Sequence, residues 1–214
     1  MTTSKYSIVI PIKQYTYFWS SNGLDDRKNT KNHDNIRRFF EISWKTHDKN
    51  LKKEDIDCIY FIIPRNEKTY FESMLKKHII NINTKLITED EMISSTYDFT
   101  SHRKQMLLKL LIYKYIKTEL YLILDDDIIS LKPFTYNDLF FQKKIRYASE
   151  PDITSQPYVW ECSRDLLKLT NTNIYRLKNT MSITPEILIK SVVHNMMIYL
   201  LNKHDSIEIG RAHV

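Results

Sequence analysis

Two rhythms of apolar and polar positions divide the chain. Unbroken apolar runs at residues 6–12, 56–63 and 120–124 read as buried strands, with a shorter one at 85–88, and Pro64 closes the second run. Elsewhere the apolar positions recur at helical spacing. Asp34 can cap a helix carrying Ile36, Phe39, Phe40, Ile42 and Trp44, and residues 66–77 read as a second helix. Residues 101–116 predict a third, apolar round most of its circumference through Leu107, Leu108, Leu110, Leu111, Ile112 and Ile116. Further on, 146–149 suggests a strand, 163–169 a helix, and 185–201 a last helix with Thr184 as cap and Pro185 in its first position. Strands alternating with helices predict an α/β domain whose mostly parallel sheet is covered on both faces, with ligands bound beyond the carboxyl ends of the strands.

Asp125, Asp126 and Asp127 break the pattern, because the apolar residues resume at once with Ile128 and Ile129. Neighbouring carboxylates repel one another and lose hydration under a packed sheet, so they require protonation or a cation. Read as part of the strand, Asp125 and Asp127 project to one side and Asp126 to the other. Such oxygen ligands suit magnesium, manganese or calcium, and magnesium shares its shell with water and substrate phosphates. The plainer reading is an acidic strand-to-loop turn, which Asp favours. The lack of Gly or Pro here, and the apolar residues that follow, count against it. On the preceding helix Gln105 and Lys109 are four apart and share a side. Lys109 then either reaches a diphosphate beside the ion or snorkels from a partly exposed stripe, while Arg103 and Lys104 read as surface charge.

Composition narrows the class. The chain has 214 residues, 42% hydrophobic and 12% aromatic, without a repeat or a Pro/Ser-rich linker, which predicts one globular domain. No apolar stretch approaches the roughly 20 residues of a membrane span. The start of the chain lacks the features of a secretory signal, so a cytoplasmic protein without a membrane span is expected. The net charge of +6 is spread among acids rather than gathered in a stripe, so no nucleic-acid partner is expected, and a diphosphate ligand would equally welcome it. Cys58 and Cys162 have no metal-ligand spacing and read as free thiols. Residues 13–33 form a long polar loop, of a length that usually binds something or is disordered.

Residues 101–134 resemble the metal-binding core of nucleotide-sugar glycosyltransferases of the GT-A fold, in which a helix leads to a hydrophobic strand and Asp-x-Asp. The likeness is closest to the DUF6492 group of glycosyltransferase-like sequences, on Gln105, Lys109, Leu110, Tyr121, Leu122, Leu124, Asp125, Asp127, Pro133 and Phe134. Weaker likeness extends to Asp34 with Arg38, to the strand ending at Pro64, to Trp160 and to Thr184 with Pro185. Departures are His102, where the group often has an aromatic residue, and the loop at 13–33, which looks like an insertion. The resemblance implies a GT-A, Rossmann-like fold over residues 1–207. It also implies transfer of a sugar from a nucleoside diphosphate donor to an unknown glycan, lipid or protein acceptor. Asp125 and Asp127 would hold manganese or magnesium, and Pro11, Gln105, Lys109 and Asp126 would contact the donor.

A general base, needed if the reaction inverts the anomeric centre, has Glu150, Asp152 and Glu161 as candidates, each also readable as an ordinary surface acid. His194, beside Val193, Met197 and Ile198, reads as structural rather than as a ligand. The last six residues, 209–214, match what a common sequencing adapter would encode, so 208–214 reads as a non-native tail and a C-terminal segment is expected to be missing. Two other functions fit less well. A haloacid-dehalogenase-like phosphohydrolase would place Thr or Val where Ile129 stands. A non-catalytic module would bind the nucleotide sugar without turning it over.

Overall fold

The computed structural model describes residues 5–14, 34–78, 80–93, 101–142, 144–146, 149–150, 180–181 and 185–204. The sheet strands are β1 (Tyr6–Pro11), β2 (Ile56–Ile63), β3 (Thr84–Thr88) and β4 (Leu120–Ile123), with β9 (Glu186–Ile189) at one edge. Between β4 and β9 lie the short strands β5 (Phe140–Phe141), β6 (Lys144–Ile145), β7 (Ser149–Glu150) and β8 (Thr180–Met181). The main sheet runs β3-β2-β1-β4-β9, parallel except for β9.

Alternation places one set of side chains on each face. Tyr6, Ile8, Ile10, Ile59, Phe61, Leu120 and Leu122 belong to one core, and Val9, Cys58, Tyr60, Ile62, Tyr121 and Ile123 to the other. Burial on both faces explains why these strands read as unbroken apolar runs. The first core is roofed by α1 (Asn35–Arg38), a π turn (Phe39–Ser43), α2 (Trp44–Asn50) and α3 (Lys68–Lys77), through Ile36, Phe39, Phe40, Trp44, Phe71 and Met74. Asp34 caps α1 as expected, accepting from the Arg37 N–H at 3.0 Å. The short helix α4 (Glu89–Met92) follows β3 directly, closed by a reciprocal Thr88–Glu91 capping box. The second core is roofed by α5 (Ser101–Leu111) and α6 (Lys190–His204), through Leu108, Leu111, Val193 and Met197. This is the α/β architecture expected of the GT-A class, a mostly parallel sheet with helices on both faces.

Several expected elements differ. The last helix starts at Lys190 rather than 185, because Ile187, Leu188 and Ile189 pair antiparallel with β4, Ile187 opposite Leu122. An isoleucine-rich apolar run beside an unpaired edge is better satisfied by a ladder than by a helical turn. Ile42, expected on the buried face, is 54% exposed, because the buried positions 36, 39, 40, 43, 44 and 47 recur three and four apart and leave residue 42 on the other side. Of the strand expected at 146–149, Ser149 lies in β7, Arg146 follows β6, and 147–148 lie outside the described residues. The helix expected at 163–169, Thr184, Trp160, Cys162 and most of the loop at 13–33 lie outside the described residues, as does the tail at 208–214.

Candidate functional site

The strand order sets where a ligand can enter. From β1 the chain builds outward through β2 and β3, then returns to place β4 on the other side of β1. Neighbouring loops at the carboxyl ends of β1 and β4 therefore diverge, which opens a crevice at this switch point. Leu124 N–H still bonds to the Val9 carbonyl at 2.9 Å, and beyond it the acids begin.

The acids end the strand rather than interrupt it. β4 stops at Ile123, and the Ile128 N–H turns back to the Asp125 carbonyl at 3.2 Å. Among the described residues no partner strand continues here, because the β1 extension turns to β2, with Ile12 N–H on the Ile62 carbonyl at 2.9 Å. The simple alternation expected for Asp125, Asp126 and Asp127 is thus replaced by a turn, the plainer of the two sequence readings.

The turn is nonetheless not an ordinary solvated one. Lys109, on α5, is buried and sets its Nζ 2.8 Å from Asp125 Oδ1, with side-chain exposures of 4% and 24%. A lysine with so little exposure is not snorkelling; it is held inside by a carboxylate. Burial and the Asp127 charge push the Asp126 carboxyl up to about 6, with Arg38 pulling the other way. Asp127 is exposed. Among the described residues no group of three or more His, Cys, Asp or Glu is placed to hold a metal ion. Two carboxylates are the kind of donor that magnesium or manganese takes when water and diphosphate oxygens complete its shell.

The chain after the acids is fastened to α2 over residues 126–134. Ser43 Oγ donates to the Asp126 carbonyl at 2.9 Å, Ser130 N–H to Thr46 Oγ1 at 2.9 Å, and Asn50 Nδ2 to the Ser130 carbonyl at 2.6 Å. His47 Nδ1 meets Ser130 Oγ at 2.6 Å, and burial lowers this imidazole to about 4, so it is neutral at physiological pH. Phe134 N–H closes the segment on the Asn50 carbonyl at 2.8 Å. These bonds fix the acid turn against a rigid helix, the support a precise site needs.

Of the other expected residues, Pro11 ends β1 and, with Val9 opposite Ile123, lies level with Asp125 across the crevice. Gln105 lies one turn before Lys109, half-buried. Glu150 lies in β7, away from the main sheet's strand order, and Asp152 and Glu161 are outside the described residues. His194 is exposed, its ring 5.4 Å from that of Tyr113. Its helix opens with Lys190 N–H on the Glu119 carbonyl at 2.8 Å, at the amino end of β4 and so opposite the acids.

One site residue escaped the sequence reading. Glu186, opposite Ile123 at the start of β9, has its carboxyl pushed up by burial and by Asp125 and drawn down by Lys109. Lys109 thus feels two carboxylates, one from the turn after β4 and one from the start of β9. The signal was an acid directly before an isoleucine-rich apolar run, legible only once that run is recognised as a strand. Asn35 N–H bonds to the Gln14 carbonyl at 2.9 Å and Gln14 N–H to Glu67 at 2.6 Å, which joins the end of β1 to the starts of α1 and α3.

A family model described as a family of unknown function, DUF6492, matches residues 3–207. The chain belongs to the DUF6492 family. Among solved structures, this DUF6492 chain is similar to mouse xyloside xylosyltransferase 1 in its apo form. The TM-score is 0.50 at 10% identity, over 94% of this chain and 71% of that one. It is also similar, with a TM-score of 0.42 at 13% identity, to 4-diphosphocytidyl-2C-methyl-D-erythritol synthase from Anaerococcus prevotii DSM 20548, over 95% and 80% of the two chains. No curated protein matches the chain in sequence. Identities this low speak to the fold of the DUF6492 domain and not to its chemistry.

Proposed function

We propose that this DUF6492 chain is a metal-dependent glycosyltransferase, moving a sugar from a nucleoside diphosphate donor to an acceptor. One observation carries the reading: a buried lysine is paired with the first acid of an Asp-Asp-Asp turn, at the crevice where β1 and β4 part. The fold shared with a xylosyltransferase supports it at the level of architecture.

Asp125 and Asp127 would hold manganese or magnesium. Such an ion, when bound, supplies Lewis-acid stabilisation of the leaving diphosphate. Lys109 adds a fixed positive charge beside the same leaving group, already dehydrated and needing little reorganisation. Asp126, whose burial favours its protonated form, is placed to hydrogen-bond a ribose or sugar hydroxyl. Pro11 and Gln105 line the same edge and complete the donor contacts. Glu186 adds a second negative charge to the surroundings of Lys109.

Isothermal titration of a panel of nucleoside diphosphate sugars, with and without manganese, tests this reading. Wild-type protein is expected to bind one donor only with metal present, and the Asp125→Ala, Asp127→Ala double variant to lose that binding. A folded wild type that binds no donor refutes the proposal and directs the search to phosphate esters.

A further inference from the structure

The acid turn is bordered by a surface of unusual composition. Leu131 is 85% exposed, Ile42 54% and Ile129 46%, although each is a large aliphatic residue. Ser130, between Ile129 and Leu131, bonds to Thr46, His47 and Asn50, which lays this segment along α2. Ile42, Lys45 and Lys49 each precede a residue of that contact row, Ser43, Thr46 and Asn50, so they follow the same edge of the helix and stay exposed. Lys132 continues the exposed row.

The nearby acids only partly balance these cations. Glu41 is engaged by Arg37 at 3.5 Å and Asp48 by Lys53 at 2.6 Å, leaving Asp127 as the exposed acid of the turn. Aliphatic side chains set among lysines on one exposed edge match the headgroup boundary of an anionic bilayer, where lysines meet phosphates and the aliphatic groups enter the acyl border. It is the gathering of Ile42, Ile129 and Leu131 on one edge, rather than any one of them, that marks an interaction surface.

We infer that the edge formed by Ile42, Lys45, Lys49, Ile129, Leu131 and Lys132 docks the protein reversibly on anionic membrane surfaces. Docking brings Asp127, two residues before Ile129, to the lipid plane. If the transferase reading holds, on which this one step rests, the acceptor is a membrane-resident, lipid-linked molecule.

Co-sedimentation with phosphatidylglycerol-rich and with pure phosphatidylcholine vesicles, without donor or metal, reads docking independently of any transfer activity. The wild type is expected to partition to the anionic vesicles and to be released by salt. Lys45→Glu with Lys49→Glu lowers partitioning by at least about fivefold for each cation removed. Ile129→Ser with Leu131→Ser lowers it by about tenfold. The exposed pair Lys76→Glu, Lys77→Glu on α3 keeps wild-type partitioning. Circular dichroism confirms that each variant is folded. No partitioning by wild type, equal uptake by phosphatidylcholine, or equal loss in the α3 variant would each overturn the inference.

Discussion

Two acid-bearing turns follow one another along the chain and treat their carboxylates in opposite ways. Asp138 closes a capping box with Thr135, accepting from both its N–H and its hydroxyl at 2.8 Å, and these bonds hold the carboxyl below its ordinary value. Asp126 lies where burial pushes it up to about 6, next to Asp125 leaning on a buried lysine. A carboxylate satisfied by its own backbone stabilises the fold. One left in a costly state at a crevice marks a place where charge from outside can complete the structure. The same residue type therefore separates architecture from chemistry.

The sharpest way to break this contrast is to unpair Lys109. Asp125→Ala leaves its ammonium buried with Glu186 as the remaining carboxylate acting on it, and unfolding free energy in urea should fall by about 3 kcal/mol. Lys109→Met should be milder, because Asp125, already 24% exposed, can rehydrate. Equal losses for the two variants would remove the asymmetry on which the contrast stands.

His47 should give the next largest effect. Its folded value, lowered to about 4, lies below the ordinary 6.5, so the unfolded chain takes up the proton first. Stability is therefore fully present above pH 6.5 and declines towards pH 4, by about 3 kcal/mol or somewhat less. Urea midpoints across that range should flatten in His47→Asn. A slope that persists would assign the acid lability elsewhere.

Asp126 titrates with the opposite sign. Its folded value of about 6 lies above the ordinary 3.8, so its contribution weakens as pH rises from about 4 to 6. With chelator present at neutral pH, Asp126→Asn should stabilise the protein by about 2 kcal/mol. Destabilisation would show that the carboxylate is satisfied after all.

The smallest effect belongs to the other turn. Asp138→Ala removes a cap and should lower stability by about 1 kcal/mol while leaving donor titration unchanged. Altered donor binding would mean that the capping turn and the crevice are not separate.

Much of this contrast was legible beforehand. Strands buried on both faces announce themselves as apolar runs, so β2 appears with its observed bounds and β1 within one residue. The place of Lys109 on an apolar helix ahead of the acids pointed to a diphosphate or to snorkelling, and its pairing with Asp125 emerged only from the fold. Two things were hidden because they depend on pairing partners rather than on local pattern. Ile128 and Ile129 look like a continuing strand, yet among the described residues no neighbour extends far enough to pair with them. Residues 186–189 look like the opening of α6, yet the free edge of β4 claims them, and with them Glu186 arrives at the site. The exposure of Ile42 follows from ordinary helical spacing, since Ile36, Phe39, Phe40 and Trp44 share a face that excludes it.

Electron paramagnetic resonance of manganese, titrated into the protein with and without a nucleoside diphosphate, tests most directly whether the acid turn is completed from outside. Two carboxylates should bind the ion weakly alone and markedly more tightly once diphosphate oxygens join them, and Asp125→Asn with Asp127→Asn should abolish both. Manganese binding that ignores the diphosphate, or survives in that variant, would contradict the account.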